Sequence, residues 1–304
     1  MSFVKTLIVI TGPTAVGKTA LTLDLARHYG VPILNADSRQ IYRELKIGTA
    51  APTEEQLRQV KHYFVGTKSI DDYYNASMFE QEVLELLSQQ ESPAGISLLS
   101  GGSMMYIDAV CNGIDDIPTI RYDVRQHMKQ RLATEGLPAL VDELKELDPE
   151  HWAVVDRQNP RRVVHALEIC HQTGRTYTSF RKNSRKERPF QIIKIGLNRD
   201  RDELYQRINQ RVLQMVEQGL IEEAHQVYPL RHLPALHTVG YRELFQYFDG
   251  SIDLQEAIRQ IQSHTREYMR KQLTWFKRDE SIHWFHPSQL TDIIAFADTC
   301  IATK

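Results

Sequence analysis

A glycine motif close to the amino terminus restricts this chain more than any other feature. Gly12-Pro13-Thr14-Ala15-Val16-Gly17-Lys18-Thr19 has the form G-x-x-x-x-G-K-[ST]. It follows an apolar, β-rich run, Thr6 to Ile10, and precedes Ala20 to Tyr29, which reads as a helix with Leu21, Leu25 and Ala26 on one face. Strand, glycine loop and helix in that order form a cradle for a diphosphate. The glycines let backbone N–H groups turn inward, and the helix N-terminus adds partial positive charge. Lys18 supplies a full charge, and the Thr19 hydroxyl can ligate Mg²⁺. The motif specifies a diphosphate and leaves open whether it belongs to ATP or to another substrate with a diphosphate leaving group.

The next segments extend this start into a parallel sheet. Val31 to Asn35 reads as a second strand ending at Asp37-Ser38, Met78 to Gln90 as a helix, and Gly95 to Leu99 as a third strand ending at Gly101-Gly102. Alternating strands and helices imply an α/β fold, a P-loop core whose parallel sheet is flanked by helices. Ligands of such sheets lie beyond the carboxyl ends of the strands, which puts Asp37 and Ser103 beside the glycine loop. After Pro118 the pattern turns helical, with Arg121 to Glu135, Leu137 to Leu147 and Arg161 to Gln172, and no strand appears before Phe190 to Leu197. We therefore expect an all-helical insertion at 119–189 in a core formed by 1–118 and 190–304. Helices follow at Asp202 to Glu217, Tyr241 to Phe248 and Leu254 to Phe276, while Ser184 to Arg188 reads as an exposed basic loop.

Overall charge says nothing about nucleic acid, since 37 basic side chains face 39 acidic ones over 304 residues. Local charge is more informative. Nine Lys and Arg lie between Arg157 and Arg188 against Glu168 and Glu187. The run His264 to Arg278 sets Arg266, Arg270, Lys271, Lys277 and Arg278 among Tyr268, Trp275 and Phe276. Basic stretches interleaved with aromatics suit a phosphate backbone with unstacked bases, although a solvated helix face would look the same. Cys111, Cys170 and Cys300 have neither metal-ligand spacing nor a disulfide framework, which fits a reducing cytoplasm. No apolar run reaches the roughly 18 residues of a membrane helix, and the apolar start leads directly into the glycine motif instead of resembling a secretory signal. Asp37 itself has two readings, a carboxylate that accepts a substrate proton or a cap on local backbone N–H groups.

Joined to Asp37-Ser38-Arg39-Gln40-Ile41-Tyr42, the glycine motif resembles the tRNA dimethylallyltransferases, also called tRNA isopentenyltransferases, of bacterial type. The resemblance continues through Ile47-Gly48-Thr49-Ala50-Ala51-Pro52, Ser100-Gly101-Gly102-Ser103-Met104-Met105-Tyr106 and Asn159 to Glu168. It also takes in Val239-Gly240-Tyr241-Arg242-Glu243 and Arg270 to Phe276, in the family's order and over nearly the whole chain. It implies transfer of a dimethylallyl group from dimethylallyl diphosphate to the exocyclic amine of the adenine on the 3′ side of the anticodon. Gly12 to Thr19 and Arg211 would hold the diphosphate with Mg²⁺, Asp37 would be the general base, Ser103 would hydrogen-bond near the reacting centre, and Arg207 would neutralise the leaving group.

The same resemblance assigns tRNA contact to Asp37-Ser38-Arg39-Gln40, Ser103, Arg125, Arg161-Arg162-Val163-Val164-His165 and His237-Thr238-Val239-Gly240-Tyr241-Arg242. Three departures from the family pattern stand out. Ser103 replaces the usual Thr and keeps the hydroxyl; His165 stands where Arg is common; and His62-Tyr63-Phe64-Val65-Gly66 lacks the usual acidic residue, so His62 receives no role. The expected partners are tRNA, through its anticodon stem-loop, and dimethylallyl diphosphate, with a monomeric chain and no membrane. The competing readings are a P-loop small-molecule kinase and a non-catalytic RNA-binding protein that senses nucleotide.

Overall fold

Thr6–Thr11 (β1) is buried along its whole length, as expected of a central strand covered on both faces. In this computed structural model, which describes residues 5–89, 95–182 and 185–303, β1 feeds the glycine loop and then α1 (Lys18–Tyr29). The chain continues through β2 (Ile33–Asn35), α2 (Glu54–Gln59), β3 (His62–Tyr63), α3 (Ala76–Gln89), β4 (Ile96–Ser100) and α4 (Met104–Asn112). Helices α5 (Tyr122–Leu147), α6 (Pro149–Val154) and α7 (Pro160–Thr173) come next. The sheet then resumes with β5 (Gln191–Leu197), followed by α8 (Arg201–Glu217), α9 (Leu220–Val227), α10 (Tyr241–Phe248), α11 (Leu254–Phe276), β6 (Ile282–Phe285) and α12 (Leu290–Ala302). All strand pairs are parallel, in the order β3-β2-β4-β1-β5-β6.

Alternation along β1 builds two cores. Leu7 and Val9 point to one face with Phe79 and Val83 of α3, Val110 of α4 and Phe276 of α11. Ile8 and Ile10 point to the other, with Leu21 and Leu25 of α1, Ile208 of α8 and Ile293 of α12. Parallel order leaves every strand's carboxyl end on one edge, where the chain turns and its polar backbone groups find partners outside the regular ladder. The glycine loop, the Asp37 turn and the Gly101-Gly102 turn all lie at that edge.

The chain divides into two compact units, Met1–Asn112 with Arg188–Lys304, and Gly113–Glu187. The helical unit therefore begins earlier than the expected 119 and ends before 189. Gly113 has a φ of 85°, and a Cβ there would lie 2.6 Å from the Lys186 side chain, so the outgoing and returning segments touch at this point. The unit has its own core of Met128, Leu140, Leu144, Val163, Ala166 and Leu167. The break expected between Glu135 and Leu137 is present: Gly136, at φ 80° and ψ 167°, kinks α5, and Pro138 opens its second half.

Some expectations need correcting. The basic loop Ser184 to Arg188 is not exposed throughout, because the Arg188 side chain is buried, with its guanidinium 2.6 Å from Glu80 and donating to the Ala109 and Val110 carbonyls. Ser184 lies outside the described residues, as does Gln90, the expected end of α3. Helices α2, α4, α6, α9 and α12 and the strands β3 and β6 add to the expected elements. With two and four residues, β3 and β6 are too short for periodicity to reveal and exist only through pairing with β2 and β5. Among the described residues no helix is long and apolar enough to cross a membrane.

Arg188 pins the returning chain to α3 and α4, and both charges of its pair are withdrawn from water, with side-chain exposures of 7% and 4%. Replacing Arg188 by Met is expected to cost about 3–5 kcal/mol, because Glu80 would remain a buried charge without this partner. Urea denaturation checks this, and a loss below about 1 kcal/mol would show that water reaches Glu80.

Candidate active site

The glycine loop is held from both ends. A Cβ on Gly12, whose φ is 142°, would lie 2.6 Å from the Leu197 carbonyl at the end of β5, so only glycine fits where β1 gives way to the loop. Gly17, at φ 107° and ψ 21°, is the left-handed residue that starts α1. Cations bind the loop's carbonyls from behind. Lys18 Nζ donates to Gly12 O at 2.9 Å and Pro13 O at 2.8 Å, Arg207 Nε to Ala15 O at 2.7 Å, and Arg199 Nε to Val16 O at 2.8 Å. Turning the carbonyls toward these groups lets loop amides that are not otherwise bonded face an anion.

Burial pulls the Lys18 pKa down to about 7, Arg211 adds to the fall, and Asp37 opposes it. Arg211 is itself lowered, by burial and then by Arg207 one helical turn away on α8. Lys18, Arg207 and Arg211 thus converge on one place, where a bound anion would favour the charged form of Lys18. The cavity they line, ≈ 300 Å³, also includes Thr14, Thr19, Asp37 and Gln272.

Asp37 follows β2, and the capping reading of it is observed directly. Its Oδ1 accepts from the backbone N–H of Arg39 at 2.8 Å and of Gln40 at 3.2 Å, which locks the turn. Among the described residues nothing bonds Oδ2, which leaves that oxygen for a ligand. Ser103 steadies the same turn: its Oγ accepts from Ser38 N–H at 2.7 Å and donates to Ser38 Oγ at 3.1 Å, and its N–H donates to Ala36 O at 3.2 Å. The Ser103 hydroxyl is thus committed to holding Asp37's neighbour.

A second cavity, ≈ 390 Å³, adjoins the first and shares Thr14, Asp37, Thr49, Ala50, Arg211 and Tyr268 with it. Ser38, Arg39 and Ser103 line it, as do His237, Thr238, Val239, Gly240 and Arg242. Its remaining wall is apolar, from Ile208, Val212 and Met215 of α8 with Leu220 and Ile261. Arg39 Nε is buried here without a hydrogen-bond partner.

Not every residue that the resemblance assigned to RNA contact faces solvent. Tyr241 is wholly buried in the core of the α/β unit, because it lies on the inward face of the amphipathic α10. Val163 is wholly buried in the core of the helical unit for the same reason on α7. Both pack, and neither side chain is available to a ligand. In that unit Arg161 and Arg162 are exposed, Val164 and His165 are half-buried, and Glu168 approaches both His165 at 3.5 Å and Arg125 at 4.0 Å.

Gln272, on α11, lies inside the Arg270 to Phe276 motif, where the sequence alone suggested no role for it. It is buried, accepts from Thr14 N–H at 2.8 Å and donates to Gly102 O at 2.8 Å, so it ties the glycine loop to the β4–α4 turn. Tyr268, one turn earlier, lines both cavities with its Oη 3.5 Å from Gly102 O. A polar residue at the inward spacing of an otherwise amphipathic helix is the one signal that could have revealed Gln272. Among the described residues no group of three His, Cys, Asp or Glu side chains could hold a metal. A hydroxyl, Thr19, beside the diphosphate cradle does suit Mg²⁺, which keeps several waters and takes its other ligands from phosphate oxygens.

The division of labour at Asp37 can be tested. Asp37→Asn preserves the Oδ1 cap and removes the base, whereas Asp37→Ala removes both. If the free oxygen takes a proton, Asp37→Asn should lower turnover by about 10²–10⁴-fold while thermal stability stays near wild type. Turnover near wild type would leave Asp37 as a cap only.

Comparison with known proteins agrees with this geometry. A family model described as IPP transferase matches residues 40–279. The chain is 57% identical over 297 residues to tRNA dimethylallyltransferase 1 of Bacteroides fragilis (strain YCH46), covering 98% of this chain and 99% of that one. It is 60% identical over 282 residues to tRNA dimethylallyltransferase 2 of Porphyromonas gingivalis (strain ATCC 33277), covering 93% and 94%. Among solved structures, the full-length tRNA isopentenylpyrophosphate transferase of Bacillus halodurans aligns with a TM-score of 0.72 at 33% identity, over 98% of this chain and 97% of that one.

Proposed function

Because this chain belongs to the IPP transferase family, with tRNA dimethylallyltransferases as its relatives, we propose that it transfers the dimethylallyl group of dimethylallyl diphosphate to an adenine of tRNA. The acceptor is the exocyclic amine of the base on the 3′ side of the anticodon. The observation that carries this reading is the junction of two cavities, one walled by Lys18, Thr19, Arg207 and Arg211, the other by Ser38, Ser103 and residues 237–240, with Asp37 in both. A kinase would also need a donor and an acceptor cavity, so it is membership of the IPP transferase family that favours prenyl transfer at this junction.

The chemistry follows from the residues. The carbon–oxygen bond of the allylic diphosphate breaks as the bond from the adenine nitrogen to that carbon forms. Lys18 and Arg207, with Arg211, stabilise the charge that collects on the departing diphosphate. Mg²⁺ carried in with the diphosphate and held at Thr19 would neutralise more of that charge. The adenine amine is a poor nucleophile, since its lone pair is delocalised into the ring. Asp37 Oδ2 orients it and takes its proton, for which about 10²–10⁴-fold is a typical gain, and positioning supplies the remainder. The base must leave its stack to enter a cavity, which costs less in an anticodon loop than in a duplex.

Both cavities are lined by one chain, so a monomer suffices, and three free cysteines suit a reducing cytoplasm. The reading is tested by incubating the protein with tRNA, dimethylallyl diphosphate and Mg²⁺ without ATP. Prenylated adenosine in the digested tRNA, with one diphosphate released per group transferred, is the expected result. Phosphate transfer from ATP to a small molecule, with no prenylated tRNA, would establish the kinase instead.

We assign the helical unit to tRNA binding, through Arg161 and Arg162 at the start of α7, whose amino end Asn159 caps. The double variant Arg161→Ala/Arg162→Ala should weaken tRNA binding and reduce its logarithmic salt slope by about 0.7 for each single-strand phosphate that an arginine no longer neutralises. Affinity for dimethylallyl diphosphate should stay unchanged. Superimposable slopes across a salt series would show that neither arginine meets the backbone.

A further inference from the structure

Glu223, on α9, has no place in the chemistry above, yet its carboxylate accepts four hydrogen bonds. Oε2 receives the backbone N–H groups of Lys46 at 2.8 Å and Ile47 at 2.7 Å. Oε1 receives the N–H of Gly48 at 2.8 Å and the hydroxyl of Tyr241 at 2.7 Å. Three successive amides pointing at one carboxylate form an anion nest whose anion is supplied from elsewhere in the chain. The fit is close, since a Cβ on Gly48 would lie 2.6 Å from the Tyr241 hydroxyl.

The loop held in this way walls the site. Gly48, Thr49 and Ala50 line the acceptor cavity, and Thr49 and Ala50 also line the diphosphate cavity. Gln40 Nε2 grips the same loop from the other side, donating to Thr49 O at 2.9 Å and Ala50 O at 3.0 Å, while its N–H bonds Asp37 Oδ1. The Tyr241 end is equally relevant, because residues 237–240 immediately before it line the acceptor cavity. One carboxylate thus joins two segments of the acceptor wall, and through Gln40 the loop reaches the turn that carries Asp37.

We infer that Glu223 is a positioning residue of the transfer reaction, one that fixes the 46–50 loop and Tyr241 so that the donor and acceptor cavities meet in register. The inference rests on the prenyl-transfer reading of the site. Glu223 touches neither substrate. Its loss acts on the alignment of bound substrates and therefore on kcat more than on either affinity.

Two variants test it, after wild-type transfer has been measured. Glu223→Gln keeps the volume but turns one acceptor oxygen into a donor; Tyr241 can rotate to accept from it, whereas an amide of the 46–48 loop is left facing another N–H. Turnover should fall about tenfold or more, with the Kd values for dimethylallyl diphosphate and for tRNA within about threefold of wild type. Glu223→Ala removes a group isosteric with acetate and leaves the nest, so acetate at tens of millimolar should raise its turnover at least tenfold. Acetate should have no such effect on wild type, and the bulkier pivalate should rescue nothing. A general folding defect would lower both affinities and would not distinguish the two anions. If Glu223→Ala does not fold, Glu223→Gln decides. Wild-type kcat in either variant, parallel loss of both affinities, or no response of Glu223→Ala to acetate overturns the role of Glu223. A wild-type protein that transfers nothing overturns the prenyl-transfer reading itself, and this inference with it.

Discussion

At the carboxyl edge of the sheet three turns come closer together than any side chain would allow. A Cβ on Gly12 would lie 2.6 Å from Leu197 O, one on Gly101 2.1 Å from Ala36 O, and one on Gly102 2.6 Å from the Gln272 amide. Backbone approaches backbone at Gly12 and Gly101, and a side-chain amide approaches Gly102, only because these residues carry no side chain. The consequence is that the phosphate loop, the Asp37 turn and the Ser103 turn become a single hydrogen-bonded body, with Ser103 holding Ser38 and Gln272 spanning Thr14 and Gly102. A carboxylate and a diphosphate cradle are thereby set side by side with little freedom left to lose when substrates bind, which is where positioning contributes most to rate.

Charge in the site is arranged around the same body. Lys18, Arg199 and Arg207 each donate to a carbonyl of the glycine loop, and Arg211 lies near enough to depress Lys18. Grouping cations out of water is unfavourable for the protein alone, as the lowered Lys18 and Arg211 values indicate, with burial as the leading cause in both. A dianionic ligand removes that penalty, so part of the binding energy is prepared in the fold. In the proposed transfer, charge would collect on the departing diphosphate, and the same cations would then bind it more strongly.

Hydrogen bonds within the chain do the remaining work of shaping. The site uses carboxylates as internal anchors, with Asp37 capping its own turn through one oxygen and Glu223 closing the nest at 46–48. Each satisfies backbone N–H groups that a loop at a cavity wall would otherwise leave unpaired. This explains how walls made largely of irregular chain can be well defined. It also shows why the capping and catalytic readings of Asp37 do not compete, since a carboxylate has an oxygen for each.

Whatever depends on neighbours along the chain was legible in residue order. The spacing of Gly12, Gly17, Lys18 and Thr19 between an apolar run and an amphipathic helix specified the cradle, and periodicity located α8, α10 and α11. The ordered motifs identified the family. What depends on distant partners appears only in the folded chain. Gln272 meets Thr14 across 258 positions and Glu223 meets Gly48 across 175, and no local pattern encodes either meeting. Val163 and Tyr241 lie within motifs that resemble RNA-contacting segments, yet helix phase turns both inward to the cores. Likewise β3 and β6 are strands only because β2 and β5 supply the other half of their hydrogen bonds. Helical period and loop chemistry are properties of a few consecutive residues, whereas burial, strand pairing and the capture of a loop by a remote carboxylate exist only once the chain has folded back on itself.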